Sequence, residues 1–330
     1  MVLNIEDIKK ITFGVEKITE NEKGFNFFRM NDKELDVYKT GLYSRLPSYY
    51  QKCLTASGVR FDFYTDSQEI SFDYIAEKKT SLTSCFFDVY CDKELFASVG
   101  FNKEENLISG EFNVNLPNGE KRITVYFPNS FEVSLKNVKL KNAKILKAVD
   151  YNFKMLVYGD SITQGFSAVN SSMSYANILA LNLDCDYINK GVGGGVFEER
   201  LCDASTDIEP QIITVAYGTN DWNATSKSRF ESNCEAFIRN ISSKFKNSKI
   251  FLITPLWRLD YKNEKELGEF VDVGKYIKAV AEDFNNVYVV DGWDLLPHSE
   301  SFFADRILHP TDMGHAIMAK RIFDYIREEI

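Results

Sequence analysis

The chain has 330 residues, of which 44% are hydrophobic and 26% are charged. This balance is typical of a globular protein, and the length suits two domains better than one. The formal net charge of −9 argues against nucleic acid or an anionic membrane as a partner, because both attract basic surfaces. The beginning of the chain alternates charged and apolar residues, and no apolar run approaches the ~20 residues of a membrane span. We therefore expect a cytoplasmic protein.

The six cysteines are scattered singly along the chain, and none forms a pair with the spacing of a metal site. A chain of this length does not depend on a disulfide framework for its stability. We therefore expect neither a zinc site nor disulfides, and we interpret most of the cysteines as small core residues.

Up to about residue 145 the sequence is typical of antiparallel β-structure. Apolar side chains alternate in VRFDFYTD, which places Val59, Phe61 and Phe63 on one face of a strand. Asn118-Gly119 lies between two further alternating runs and predicts a β-hairpin turn. Short strands, frequent turns and many aromatic residues together indicate an antiparallel sandwich.

The pattern changes near Val149, where five short β-rich runs begin, most of them closed by Gly or Pro. Helical patterns lie between several of them, at Ser174–Leu183, Phe230–Phe245 and about Glu264–Phe284, and a last one covers about Asp312–Glu329. Strands that alternate with helices predict a parallel sheet covered by helices on both faces. We expect the boundary within 144–152, so that residues 1–148 and 149–330 form two domains.

Polar residues suited to catalysis follow the strands of the second half, at the sheet edge where open α/β proteins bind ligands. Ser161 follows the first strand, Gly194 lies in a glycine-rich run after the second, and Asn220 follows the third. His309 comes just before the last helix. A serine hydroxyl needs a neighbouring base to act as a nucleophile, and the base needs a group that fixes its tautomer. Each segment alone is a weak signal, but together they supply the parts that acyl transfer requires.

These segments resemble the SGNH (GDSL-type) hydrolase family. GDSITQG matches its first block, NKGVGG the second, GTND the third and LHPTDMGH the fifth. The resemblance implies a flavodoxin-like three-layer α/β/α fold and a carboxylic ester hydrolase that needs no metal or organic cofactor. It implies Ser161 as nucleophile and His309 as base. The oxyanion hole would consist of the backbone N–H groups of Ser161 and Gly194 and the side-chain amide of Asn220.

The carboxylate that orients the histidine departs from the family pattern. The family places it three residues before the histidine, where this chain has Arg306, whereas Asp305 lies four residues before His309. We expect a one-residue bulge between Asp305 and His309 to bring the Asp305 carboxylate to the imidazole. The alternative is a Ser–His dyad in which a backbone carbonyl orients the imidazole. Asp160 is interpreted as a structural residue that bonds the loop behind the serine.

Four further residues are candidates for contact with the substrate. Trp222 directly follows GTND, and it lines either the substrate pocket or the core. Trp257 and Arg258 follow the fourth strand, and Arg258 bonds either the substrate or Asp260. Arg45 is placed to close the cleft from the first domain.

The first half resembles the jelly-roll module that precedes the catalytic domain in two-domain GDSL proteins, through segments such as SGVRFDFYTDS and RITVYFPN. By this analogy we expect a serine esterase that removes a small acyl group, acetyl in the first instance, from a carbohydrate or similar polyol. The partner would be a small-molecule or oligosaccharide ester. The alternatives are an acyltransferase with the same residues, a thioesterase or lysophospholipase, and a carbohydrate-binding protein with a dormant hydrolase domain, against which the four motifs argue. The oligomeric state is not indicated.

Overall fold

The computed structural model describes residues 1–41, 43, 46, 48–206 and 208–330. It contains two antiparallel sheets in the first half of the chain and one parallel sheet in the second. Within the described ranges, no helix combines the length and the apolar character needed to cross a membrane.

The described part of the first half contains eleven strands and three short α-helices. The helices are α1 (Ile5–Ile11), α2 (Asp32–Val37) and α3 (Ser48–Cys53). The strands are β1 (Thr12–Phe13), β2 (Lys17–Asn21), β3 (Gly24–Phe28), β4 (Arg60–Thr65), β5 (Glu69–Lys78), β6 (Ser84–Cys91), β7 (Glu94–Asn102), β8 (Leu107–Asn115), β9 (Lys121–Tyr126), β10 (Phe131–Lys141) and β11 (Leu146–Ala148).

These strands form a jelly roll. One sheet has the order β1-β4-β9-β6-β7, with β11 paired to β4, and the other has the order β2-β3-β10-β5-β8. The eight strands from β3 to β10 divide between the sheets as β4-β9-β6-β7 and β3-β10-β5-β8, which is the double-sheet arrangement of a jelly roll. Val59, Phe61 and Phe63 are fully buried in the sandwich core, as their alternation predicts. The predicted sandwich is thus confirmed.

The hairpin predicted at Asn118-Gly119 is wrong. The strand before this turn, β8, pairs with β5, and the strand after it, β9, pairs with β4 and β6. The turn therefore carries the chain from one sheet to the other. A local turn signal indicates only that the chain reverses, and in a jelly roll most reversals connect strands of different sheets.

In residues 149–206 and 208–330 the chain forms five strands and seven α-helices. The strands are β12 (Phe153–Gly159), β13 (Cys185–Gly191), β14 (Ile212–Ala216), β15 (Lys249–Ile253) and β16 (Val287–Val290). The helices are α4 (Ser161–Gln164), α5 (Tyr175–Leu183), α6 (Arg200–Ala204), α7 (Thr219–Ala224), α8 (Lys227–Lys244), α9 (Phe270–Ala281) and α10 (Asp312–Glu329).

All neighbouring strands of this sheet are parallel, in the order β13-β12-β14-β15-β16. Helices cover both faces of the sheet, and the side chains of β12 alternate between the two faces. Leu156 and Tyr158 share a core with α8 and α9, and Met155 and Val157 share one with α5 and α10. The strand order is flavodoxin-like, so the predicted three-layer α/β/α fold is confirmed. In this fold ligands bind where the strand order reverses, here between the carboxyl ends of β12 and β14.

The two halves share apolar packing. The first-half residues Met30, Leu35, Tyr38, Tyr43 and Cys53 belong to the core that contains α8 and α9. β11 ends at Ala148 within the sandwich, and β12 begins at Phe153. We keep the boundary between 148 and 149 as a proposal. The shared core indicates that the parts on either side of it depend on each other for stability.

Candidate active site

A sharp turn after β12 presents Ser161 at the carboxyl edge of the parallel sheet. A Cβ atom on Gly159 would lie 2.1 Å from Thr163 Oγ1, so the turn requires glycine there. Asp160 caps α4, because its Oδ1 accepts a hydrogen bond from the N–H of Ile162 at 2.9 Å. Burial raises the pKa of Asp160 to about 7. These contacts agree with the structural role predicted for Asp160 in the loop behind the serine. The side chain of Ser161 itself is 7% exposed.

Ser161 and His309, 148 residues apart in sequence, meet at this edge. The distance between Ser161 Oγ and His309 Nε2 is 2.9 Å. On the other side of the ring, His309 Nδ1 lies 2.7 Å from Asp305 Oδ2. A hydroxyl, an imidazole and a carboxylate in this order form the arrangement in which a serine can be deprotonated for attack.

Asp305 reaches the imidazole because the loop before α10 is tightly turned. Arg306 has a φ of 61°, in the left-handed region, which adds the bulge expected from the sequence. Asp305 Oδ1 accepts hydrogen bonds from the backbone N–H groups of Ile307, Leu308 and His309 at 2.9–3.1 Å. The structure thus places a carboxylate, and not a backbone carbonyl, at His309 Nδ1.

The ionisation of the pair follows from its surroundings. Burial would raise the pKa of Asp305, but the backbone N–H groups and His309 outweigh it and lower that pKa. Burial lowers the pKa of His309, and the hydrogen bond and charge of Asp305 oppose this shift. An ionised carboxylate beside a neutral imidazole is therefore the ground state near neutral pH, as a general base requires.

The glycine-rich run after β13 packs against the turn that carries Ser161. Gly194 has a φ of 85°, and a Cβ atom there would lie 2.8 Å from a ring carbon of Tyr49. The N–H of Gly193 is bound to Gln164 Oε1 at 2.7 Å. By contrast, among the described residues no acceptor is hydrogen-bonded to the N–H of Ser161 or of Gly194. These two donors are free to bind an oxyanion.

Asn220, the third predicted donor, is engaged within the protein. Its amide nitrogen lies 3.1 Å from the carbonyl oxygen of Gly195 and 3.3 Å from Asp160 Oδ2. The amide therefore sits beside the turn that carries Ser161. It can donate to an oxyanion only by sharing or giving up one of these bonds.

The two tryptophans proposed as substrate contacts are both buried. Trp222 is 1% exposed, and its indole N–H donates to the carbonyl oxygen of Gly268 at 3.0 Å. α7 turns this side chain inward from the loop that carries Asn220. Trp257 is buried too, and its ring packs on Phe303 and Tyr261. For Trp222 this is the core alternative of the prediction, and contact of Trp257 with the substrate stays a prediction.

Arg258 is also engaged within the protein. It is 3% exposed and forms a two-pronged salt bridge with Asp260, while Nη1 donates to Thr219 Oγ1 at 3.1 Å. The alternative reading, in which Arg258 pairs with Asp260, is therefore the one observed. Arg45 lies outside the described residues, and its contact with the cleft remains a prediction.

Three residues at the site were missed by the sequence analysis. The ring of Phe166 packs on His309 with centroids 4.6 Å apart. Tyr49 and Lys52 reach the glycine-rich run from α3, where Lys52 Nζ donates to the carbonyl oxygen of Gly193 at 2.8 Å. No local signal marks the two α3 residues, because their contacts are more than 100 positions away in sequence.

Comparison with known proteins bears on the family of the second half and on the fold of the chain. Residues 157–317 match the model of the GDSL-like Lipase/Acylhydrolase family. No curated protein matches the chain in a sequence search. Among solved structures, a salicylyl-acyltransferase from a tetracycline biosynthetic pathway is similar with a TM-score of 0.82 and 19% identity, over 96% of this chain and 94% of that one.

Two bacterial structures show the same two-part fold. A protein from Bacteroides ovatus described as a GDSL-like lipase has a TM-score of 0.77 and 20% identity, over 98% of this chain and 96% of that one. An acetyl xylan esterase from the rumen bacterium Butyrivibrio proteoclasticus has a TM-score of 0.65 and 15% identity, over 100% of this chain and 98% of that one. Residues 157–317 therefore form a domain of the GDSL-like lipase/acylhydrolase family, which indicates an enzyme of ester hydrolysis or acyl transfer.

Proposed function

We propose that the protein is a serine esterase that works through an acyl-enzyme, with Ser161 as nucleophile, His309 as general base and acid, and Asp305 as the group that orients His309. The observation that carries this proposal is the continuous pair of hydrogen bonds from Ser161 Oγ through the His309 ring to Asp305. Asp305 holds the proton on Nδ1, which leaves the Nε2 lone pair facing the serine hydroxyl.

The reaction proceeds in two halves. His309 Nε2 takes the hydroxyl proton as Ser161 Oγ attacks the ester carbonyl, and the imidazolium then gives that proton to the leaving alcohol. Water repeats the sequence on the acyl-enzyme and releases the acid. The negative charge on the carbonyl oxygen is bound by the N–H groups of Ser161 and Gly194. The side-chain amide of Asn220 is a third donor when it shares one of its present hydrogen bonds, to Gly195 or Asp160, with the oxyanion. One such donor lowers the barrier by roughly 3–4 kcal/mol.

The substrate we propose is a small acyl ester, acetyl in the first instance, of a carbohydrate or similar polyol. The half-buried ring of Tyr49 lies against Gly194 and bounds the space beside the oxyanion donors, which favours a short acyl group. The acetyl xylan esterase structure of similar fold fits this choice by analogy. On the same analogy we prefer hydrolysis to thioester or lysophospholipid cleavage, and acyl transfer, the reaction named for the salicylyl-acyltransferase of similar fold, stays the alternative. The cytoplasmic location stays a prediction.

Acyl length is the first test of the substrate. We expect kcat/KM for 4-nitrophenyl acetate to exceed that for the butyrate by about tenfold or more, because two additional methylenes must displace the Tyr49 ring. Initial rates with the two esters at equal concentration give the ratio. A butyrate that reacts much faster than the acetate would contradict the small acyl pocket.

Adding glycerol or an oligosaccharide as acceptor and analysing products separates hydrolysis from acyl transfer.

The pH profile follows from the environment of His309. Catalysis needs the neutral imidazole, so kcat/KM falls as the pH drops through the pKa of His309. Burial lowers this pKa from its ordinary value of 6.5, and Asp305 restores only part of the shift. We expect the acidic limb to have its midpoint below pH 6.5, measured after confirming that the enzyme survives preincubation at each pH. A midpoint above about 7 would show that the carboxylate, and not burial, dominates.

A further inference from the structure

One peptide unit of the glycine-rich run joins a cation of the first half to a proposed oxyanion donor. The carbonyl oxygen of Gly193 accepts a hydrogen bond from Lys52 Nζ at 2.8 Å. The N–H at the other end of the same peptide unit belongs to Gly194. A trans peptide is planar, and its C=O and N–H point in opposite directions. A group that fixes the carbonyl on one side therefore fixes the direction of the N–H on the other.

Lys52 is held firmly enough to play this part. Its aliphatic stem packs on Gly193, where Cδ would lie 3.3 Å from a Cβ atom, and its ammonium lies 5.3 Å from the centroid of the Tyr49 ring. Gln164 joins the two segments: Oε1 accepts from the N–H of Gly193 at 2.7 Å, and Nε2 donates to Lys52 O at 3.2 Å. The backbone of Lys52 and the glycine-rich run thus keep a fixed separation.

A buried arginine strengthens the same connection. Arg29 is fully buried, and its guanidinium donates to the carbonyl oxygens of Asn189 at 2.7 Å, Gly191 at 2.8 Å and Lys52 at 2.8 Å. It therefore ties the end of α3 to the end of β13, just before the glycines. The backbone of Lys52 is therefore held in place, so that few side-chain conformations are lost when its ammonium binds the carbonyl oxygen of Gly193.

We propose that Lys52 is a positioning residue of the oxyanion hole, acting through the Gly193–Gly194 peptide. This inference rests on the proposed function. A cation on a carbonyl oxygen gives a charge-assisted hydrogen bond and polarises the peptide, which makes the opposite N–H a stronger donor. The first half of the chain then contributes to catalysis itself, and not only to the wall of the cleft.

The variant Lys52→Met tests the inference, because it keeps the stem that packs on Gly193 and removes the ammonium. We expect kcat for 4-nitrophenyl acetate to fall about 5- to 30-fold, less than the ~10²–10³-fold loss when an oxyanion donor is removed outright. KM should stay within about twofold, since the ground-state carbonyl uses the donor weakly. The rate of inactivation by diethyl 4-nitrophenyl phosphate should fall by a similar factor. Lys52→Arg, which keeps a cation, should recover most of the loss. Burial lowers the pKa of the Lys52 ammonium, so the assays are run near neutral pH.

Gln51→Met is the matched control, because Gln51 is exposed on the same helix, and its kcat and melting temperature should equal those of the wild type. A Lys52→Met enzyme with kcat within twofold of the wild type would overturn the inference. So would a loss of kcat that is matched by a large fall in melting temperature and is not recovered by Lys52→Arg, because this would indicate a purely structural contact. A wild-type protein that neither hydrolyses the ester nor reacts with the phosphate would instead overturn the proposed function.

Discussion

Ser161→Ala is expected to lower kcat/KM for 4-nitrophenyl acetate by about 10⁵-fold or more, because His309 and the oxyanion donors remain but no nucleophile is left. The fold should be unaffected, since among the described residues the Oγ atom is hydrogen-bonded to His309 alone. We would measure ester turnover with the ester in excess over the enzyme, and the melting temperature as a check that the variant is folded. Ser228→Ala, on the exposed side of α8, is the control and should retain full activity. A Ser161→Ala enzyme with more than about a hundredth of wild-type activity would require another nucleophile.

Asp305→Asn is expected to lower kcat by about 10³- to 10⁴-fold, since an amide in place of the carboxylate no longer fixes the proton on His309 Nδ1 or stabilises the imidazolium. The amide oxygen can still accept the backbone N–H groups that Oδ1 accepts now, so the turn before α10 should survive. This variant therefore separates the electronic role of Asp305 from its role in the loop.

The chain offers a close control for this substitution. Asp294 lies four residues before His298, the same spacing as Asp305 and His309, with Oδ1 3.5 Å from Nε2 at an exposed position. Asp294→Asn should leave kcat unchanged. A loss of less than about tenfold in Asp305→Asn would favour the Ser–His dyad, in which the carboxylate is dispensable.

Sequence reasoning located the residues whose position depends on local structure. Ser161, Gly194 and Asn220 each follow a strand of one parallel sheet, and such strands end at a common edge, so the motifs fix the approximate location of the site. The bulge at Arg306 could also be anticipated, because Asp305 is the nearest carboxylate before His309. The three backbone N–H groups that bind Asp305 stabilise this left-handed residue, whose conformation costs about 1–2 kcal/mol.

Adjacency to a motif was a poor guide to contact with the site. Trp222 follows Asn220 by two positions, but α7 begins at Thr219, and the helical turn directs the indole into the core. Arg258 follows a strand that ends near the site, but its guanidinium is bound by Asp260, two residues further along the chain. In both cases the tertiary environment decided between alternatives that the sequence left open.

The contribution of the first half could not be predicted. Arg29 and Lys52 bind backbone carbonyl oxygens at the end of β13 and in the glycine-rich run. Every residue has a backbone carbonyl, so such a contact has no signature in the sequence. Tyr49 is one aromatic residue among many in a segment rich in them. These contacts depend on how the sandwich packs on the parallel sheet, which is a property of the whole chain.

The most direct test of the account is covalent labelling by diethyl 4-nitrophenyl phosphate, followed by peptide mass spectrometry. If the hydroxyl of Ser161 is activated as we propose, it displaces 4-nitrophenolate from phosphorus. One diethylphosphoryl group then appears on the Ser161 peptide, and esterase activity disappears in proportion. Full ester turnover by a protein whose Ser161 is completely modified, or labelling at another residue with Ser161 untouched, would contradict the account.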